Sequence, residues 1–252
     1  MSRPAVLVTG GARRIGAVVA QAFAGAGWDV IIHHKHSEPE ARALAATLPC
    51  ARTVTCDLTD GDAAVAMINR LSVELPNWRV LVNCAAVFEF DDAAWLDPGV
   101  FEQAMAVNAT TPTRMAQAFL RGAKARGGRR VIDFLDQKLA NLNPDFFSYT
   151  MAKSAFAAAM RMQAMALSDS ADRVYGLAPG AMMASFDQQP EEHEISGRMN
   201  LLGRLTGPRE LAEAALFLAE GWLASGQTLF IDSGQHLLAQ RRDVLYLARE
   251  MG

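Results

Sequence analysis

Seven short apolar runs alternating with segments of helical spacing constrain this chain more than any other feature. The runs are "AVLVT" (5–9), "DVIIHH" (29–34), "RTVTC" (52–56), "RVLVNCA" (79–85), "RRVIDFL" (129–135), "RVYGLA" (173–178) and "QTLFID" (227–232). Most are apolar almost throughout, as strands are when both faces of a parallel sheet are covered. Between the first two, Ile15, Val18, Val19, Ala22, Phe23 and Ala26 form one apolar helical stripe, ending at a glycine cap signal over Gly25–Gly27. Helical patterns also cover 60–75, 110–126, 149–168 and 208–219. Repeated strand–helix units predict one open, doubly wound parallel sheet with helices on both faces. No linker, repeat or low-complexity run divides it, so 1–252 is expected to form a single domain. Residues 181–206 carry the weakest pattern and are the candidate lid.

A chain of 252 residues can bury an ordinary core without staples. Its net charge of −3 gives no reason to expect nucleic acid or an anionic membrane as partner. Cys50, Cys56 and Cys84 are odd in number and form no CxxC or Cys/His cluster, so neither a disulfide framework nor a metal site is expected. No apolar run approaches the ~20 residues of a membrane span, and no secretory leader is visible, which points to a reducing cytoplasm.

The first strand runs into "T9-G10-G11-A12-R13-R14-I15-G16". Gly10 permits a sharp turn, and Gly16 lets the following helix approach the sheet. Free N–H groups at a helix start, with the helix dipole, attract a pyrophosphate. The strand–turn–helix context makes this a Rossmann-type dinucleotide site. Arg14 stands where a middle glycine is usual.

The end of the second strand selects the dinucleotide. An NAD site usually has an acid there for the ribose hydroxyls. Here the segment is "I31-I32-H33-H34-K35-H36-S37", with no acid before Glu38. Donors on His34, Lys35, His36 and Ser37, with Arg13, suit a 2′-phosphate, which an acid would repel. NADPH is therefore the expected cofactor. Asp57, at the end of the third strand, is placed to accept from an adenine amino group.

"S148-Y149-T150-M151-A152-K153" opens a helix, with Tyr149 and Lys153 one turn apart on one face. An ammonium beside a phenol is expected to lower its pKa and to let it pass a proton to a carbonyl oxygen or imine nitrogen.

Taken together, these motifs resemble the short-chain dehydrogenase/reductase family over nearly the whole chain. The resemblance rests on Thr9-Gly10…Arg14-Ile15-Gly16, "N83-C84-A85-A86", Asn108, Tyr149…Lys153, Pro179-Gly180, and "G226-Q227-T228…D232-S233-G234". It implies that Tyr149 is the proton donor, that Lys153 binds the nicotinamide ribose, and that Asn108 holds a relay water. Gly10, Arg13, Arg14, Ile15, Gly16, Asp57, Leu58, Asn83, Ala85, Pro179 and Gly180 are implied to line the cofactor site.

Three positions depart from the family pattern: Asp136 replaces the usual catalytic serine, "NCAA" replaces NNAG, and Arg14 replaces a glycine. The Asp and the "RRIG" turn resemble the pteridine reductase and dihydromonapterin reductase branch. That branch implies that Phe88 stacks on a pterin, and that Arg14, Asp136 and Tyr149 contact it. Ala86 and Phe146 stand where the branch has hydroxyl-bearing side chains. The expected function is NADPH-dependent reduction of a pterin-like small molecule, dihydropterin to tetrahydropterin. The alternatives are a carbonyl or 3-oxoacyl reductase and a non-catalytic NADP(H) sensor. A homotetramer is implied by the family, with the amphipathic tail 236–252 at an interface and Arg241 or Arg242 reaching a neighbouring site.

Overall fold

The structure, a computed structural model, describes residues 2–185 and 187–251. Met1, Gly252 and, within the candidate lid, Phe186 lie outside the described residues. All seven expected strands form: β1 (Ala5–Val8), β2 (Asp29–His34), β3 (Ala51–Thr55), β4 (Trp78–Asn83), β5 (Arg130–Phe134), β6 (Arg173–Pro179) and β7 (Thr228–Ile231). They pair in parallel in the order β3-β2-β1-β4-β5-β6-β7. The chain winds outward from β1 to β3, then returns to β4 on the other side of β1. The crevice of such a fold opens where β1 and β4 part.

Strand alternation divides the core into two layers. Leu7, Ile31, Leu81 and Val131 face one layer; Val6, Val8, Val30, Ile32, Val80 and Ile132 face the other. On the first face lie α3 (Gly61–Glu74), α5 (Thr111–Gly122) and α6 (Phe147–Met165), through Ile68, Leu71, Phe119 and Phe156. On the second lie α1 (Arg14–Gly25) and α8 (Pro208–Glu220), through Val19, Phe23, Leu211 and Leu218. No helix among the described residues is long and apolar enough to cross a membrane.

Four helices go beyond the sequence pattern: α2 (Glu38–Thr47), α4 (Pro98–Met105), α7 (Pro190–Ser196) and α9 (Val244–Met251). Helix α2 buries only Ala41, so it carries almost no apolar stripe. Helices α4 and α7 are one to two turns long and open on Pro98 and Pro190. The expected helix over 110–126 is the second half of a longer arm. Helix α4 passes through a single π turn, Ala106–Thr110, into α5.

The turn after β1 shows why its glycines are needed. Gly10 has φ +62°, a conformation that costs an L-residue energy. A Cβ on Gly16 would lie 2.2 Å from the Gly10 carbonyl oxygen. Gly16→Ala must therefore push α1 off the turn. It is expected to cost about 1–3 kcal/mol in denaturant unfolding and to weaken dinucleotide binding in the same preparation.

Candidate active site

A cavity of about 830 Å³ runs along the carboxyl ends of the strands. It begins beside β3, at Asp57 and Leu58, and passes the β2 end at His34, Lys35, His36 and Ser37. It crosses the turn at Gly10, Arg13, Arg14, Ile15 and Gly16, and continues past Ala85, Pro179 and Gly180 to Asp136, Tyr149, Lys153 and Phe88. Most sequence-predicted site residues thus share one cavity. Asn83 and Asn108 are not among the lining residues.

At the β2 end the three histidines divide by role. His33 is buried, and its Nδ1 lies 3.2 Å from Gly10 N, which donates to it. Its Nε2 faces the Cys56 carbonyl at 3.1 Å. Both bonds are satisfied by one neutral tautomer, and burial holds the pKa down at about 4. His33 is therefore a tie between turn and sheet rather than a phosphate cation. His34 is buried too; its Nε2 lies 3.1 Å from Thr55 Oγ1, while Nδ1 has no partner among the described residues. Lys35 pairs with Asp57 at 2.9 Å, which holds the Asp57 carboxyl down at about 2. Arg13 faces Glu40 at 3.6 Å, a contact exposed enough to exchange for a stronger anion. Arginine and lysine cations, an orphaned imidazole nitrogen and the open turn amides fit a phosphorylated dinucleotide.

Arg14 begins α1 with φ +52°, so it keeps the backbone of the glycine it replaces. Its guanidinium donates to the Ala184 carbonyl at 2.7 Å, joining the turn to the 181–206 segment. Within that segment, Gln188 Nε2 donates to Ser196 Oγ at 2.9 Å, and α7 gives it one ordered helix.

Beneath the cavity the two asparagines brace the scaffold. Asn83 Nδ2 donates to Asp133 Oδ1 at 2.8 Å across β4 and β5, and burial pushes the Asp133 carboxyl up to about 7. Asn108 sits in the π turn and accepts from Val87 N and donates to Val87 O, both at 2.9 Å. It holds the loop that carries Phe88. Half-buried Cys84 lines the cavity, and desolvation pushes its thiol up to about 12, so it stays protonated.

The catalytic end is assembled by α6 and the turn after β5. Asp91 accepts from Ser148 N at 2.9 Å and from Ser148 Oγ, anchoring the first turn of α6. Tyr149 Oη donates to Asp136 Oδ2 at 2.8 Å, and Asp136 Oδ1 accepts from Lys138 N at 2.8 Å. Lys153 Nζ donates to the Phe134 carbonyl at 2.5 Å and lies 5.6 Å from the centre of the Tyr149 ring. Burial raises the Asp136 pKa, and burial followed by the Asp136 charge raises that of Tyr149 well above the usual phenol range. Burial lowers Lys153. The expected lowering of the phenol by the ammonium is thus overturned: desolvation and the carboxylate dominate, and Tyr149 is held as a protonated donor.

Phe88 stacks on Phe146 at 4.0 Å between ring centres and meets Tyr149 edge-on at 4.7 Å. Phe146 takes a left-handed backbone at φ 54° just before α6, which turns its ring onto Phe88. Lys138, Asp243 and Tyr246 also line the cavity and were missed in the sequence. They belong to a turn and a tail far apart in the chain.

A buried phenol with a lysine one helical turn on, at the end of a groove suited to a dinucleotide, is the equipment of an oxidoreductase that moves a proton as a hydride is transferred. Sequence comparison supplies the family. The family model described as "Enoyl-(Acyl carrier protein) reductase" matches residues 10–236, and the chain belongs to the short-chain dehydrogenase/reductase family. It is 31% identical to galactitol 2-dehydrogenase (L-tagatose-forming) of Cereibacter sphaeroides, covering 90% of this chain and 92% of that protein. It is 28% identical to pteridine reductase 1 of Leishmania tarentolae, covering 93% and 96%. Among solved structures, FolM alternative dihydrofolate reductase 1 from Brucella canis, complexed with NADP, superposes with a TM-score of 0.88 at 32% identity. That match covers 95% of this chain and 96% of the other.

Two predictions follow from the turn. Arg14→Gly removes the Ala184 bond but suits the backbone; unfolding free energy should stay within about 1 kcal/mol of the parent. Dinucleotide affinity should fall modestly, and turnover by roughly tenfold or more. For His33, an unfolded chain takes up a proton below pH 6.5 that the folded one refuses until about 4. Stability is therefore lost as pH falls through that window, by on the order of 3 kcal/mol in all. Denaturant titrations of His33→Gln across the window should show a flatter slope.

Proposed function

We propose that this oxidoreductase uses NADPH to reduce a pterin-like substrate, dihydropterin to tetrahydropterin. The observation that carries the proposal is the 2.8 Å bond from Tyr149 to Asp136 beside the Phe88–Phe146 aromatic wall. A simple ketone needs one proton donor at its oxygen and offers no N–H groups. A pterin is flat and carries several N–H donors, which a carboxylate at Asp136 can accept. The relatives include pteridine reductase 1 and the FolM structure, which support the same substrate class.

The cofactor supplies the hydride. Arg13, Lys35, His36 and Ser37 would hold its 2′-phosphate. The turn from Gly10 to Gly16 would hold the pyrophosphate, and Lys153, with Pro179 and Gly180, the nicotinamide end. Tyr149 would donate its phenolic proton to the substrate nitrogen as the hydride arrives. Asp136, whose carboxyl burial pushes up, would relay a proton to the phenolate, and Lys153 would stabilise the anion in between. Arg14 would lie between phosphate and substrate and tie both to the 181–206 segment, acting as a lid. A homotetramer is the proposed assembly.

The test follows NADPH absorbance with dihydrobiopterin or dihydromonapterin, then with acetoacetyl thioesters. Pterin turnover that drops by a factor of about 10² or more in Tyr149→Phe, with NADPH still bound, supports the proposal. Turnover of thioesters alone would sink it in favour of a 3-oxoacyl reductase, and NADPH binding without turnover of any substrate would favour a sensor.

A further inference from the structure

The tail after β7 folds back onto the loop after β5. Gln240 and Asn141 exchange two hydrogen bonds, at 3.1 and 2.7 Å. Arg242 forks onto Asp145, with contacts of 2.8 to 3.0 Å. Asp243 pairs at 2.9 Å with Lys138, a lysine left only 2% exposed, two residues past Asp136. These links fix α9 on the loop that leads from Asp136 to Tyr149. Arg249, near the other end of α9, reaches Asp187 and Glu192 at 3.1 Å each, in the 181–206 segment.

Helix α9 brings Val244, Leu245 and Tyr246 to the substrate end of the cavity. Leu245 is buried against Phe146 and Tyr149. The ring of Tyr246 lies 6.0 Å from Phe146 at an interplanar angle of 27°, and 5.6 Å from Phe90. Arg242 covers the Tyr246 ring at 4.8 Å, which fixes its position, and no hydrogen bond engages its hydroxyl among the described residues. Phe88, Phe90, Phe146, Tyr149 and Tyr246 thus form a half-open aromatic box next to the proton donor. Flat rings gain stacking energy in such a box, whereas an aliphatic chain gains only area burial.

We infer that α9 is a substrate-facing wall supplied by the same chain, and that Tyr246 is a specificity-determining residue whose ring selects planar heteroaromatic substrates over aliphatic ones. The inference rests on the pterin proposal for its natural substrate, but planarity is the property it commits to. Arg249 acts as the latch that keeps this wall in register with the lid segment.

Steady-state kinetics on the full chain tests it, with dihydrobiopterin, the planar quinone menadione and the aliphatic ethyl acetoacetate. Tyr246→Leu, which keeps apolar volume, should raise KM for the planar substrates about tenfold. KM for ethyl acetoacetate and Kd for NADPH should stay within about twofold. Tyr246→Phe should restore the parent values, because the ring carries the effect. Arg249→Ala, which keeps the Tyr246 ring but removes the latch and the cation 5.8 Å from its centre, should shift the planar substrates in the same direction by a smaller factor. An unchanged planar-to-aliphatic ratio in Tyr246→Leu overturns the inference, as does Tyr246→Phe behaving like Tyr246→Leu, or NADPH affinity falling in step. If the parent enzyme reduces menadione but no pterin, the pterin proposal fails while the ratio still decides the role of Tyr246. A parent that reduces neither planar compound refutes both.

Discussion

The hydroxyl of Thr9 holds together the point at which this molecule works. It accepts from Cys84 N at 2.9 Å and from Ala85 N at 3.0 Å, and it donates to the Val82 carbonyl at 3.3 Å. One buried side chain thereby uses all the hydrogen-bonding capacity of a hydroxyl to fasten the end of β1 to the end of β4. Those are the two strands whose connections depart in opposite directions, so the sheet would otherwise splay there. With the gap fixed, Gly10 lies so close to Ala85 that a Cβ there would come within 3.0 Å of the Ala85 Cα, and the phosphate turn and the nicotinamide end become parts of one groove. The asparagine ties to Asp133 and Val87 extend the same bracing towards β5 and the Phe88 loop.

The catalytic end combines opposing electrostatic demands. Tyr149 and Lys153 are buried and Asp136 is half-buried, and desolvation penalises the charged form of each. Desolvation favours the neutral form of each, pushing the phenol and the carboxyl up and the ammonium down, against the Tyr149–Asp136 bond that favours the carboxylate. The Lys138–Asp243 pair adjoins these three groups as a second charge couple, formed where the tail folds back onto the turn after β5.

Much of this was legible in the sequence because it was local. Each strand declared itself by an apolar run, and Tyr149 and Lys153 by their spacing in one helix. The charges after β2 also lay within one segment, yet the sequence could not divide their roles. His33 became a structural tie because Gly10 N and Cys56 O, each some 23 residues away, claim its two nitrogens. The short helices α4 and α7 escaped because one or two turns cannot establish a period. Arg14 read as a cation standing at a glycine position, and its φ of +52° shows that the glycine geometry survived the substitution. The aromatic wall was half visible: Phe88 and Phe146 were evident beside the motifs, while Tyr246 lay in a tail expected to serve a neighbour. Its partners Asp145 and Lys138 are about 100 residues upstream, and no pattern along the chain connects them.

That tail placement has a consequence for how the protein behaves as a population of molecules. When a neighbouring chain completes a pocket, the fraction of working sites follows the association equilibrium and declines on dilution. Here the Gln240, Arg242 and Asp243 anchors all return to the chain that bears them. The wall they hold is present at an effective concentration set by chain connectivity rather than by how many copies are nearby. Each chain therefore brings the Tyr246 wall to its own cavity through its own tail.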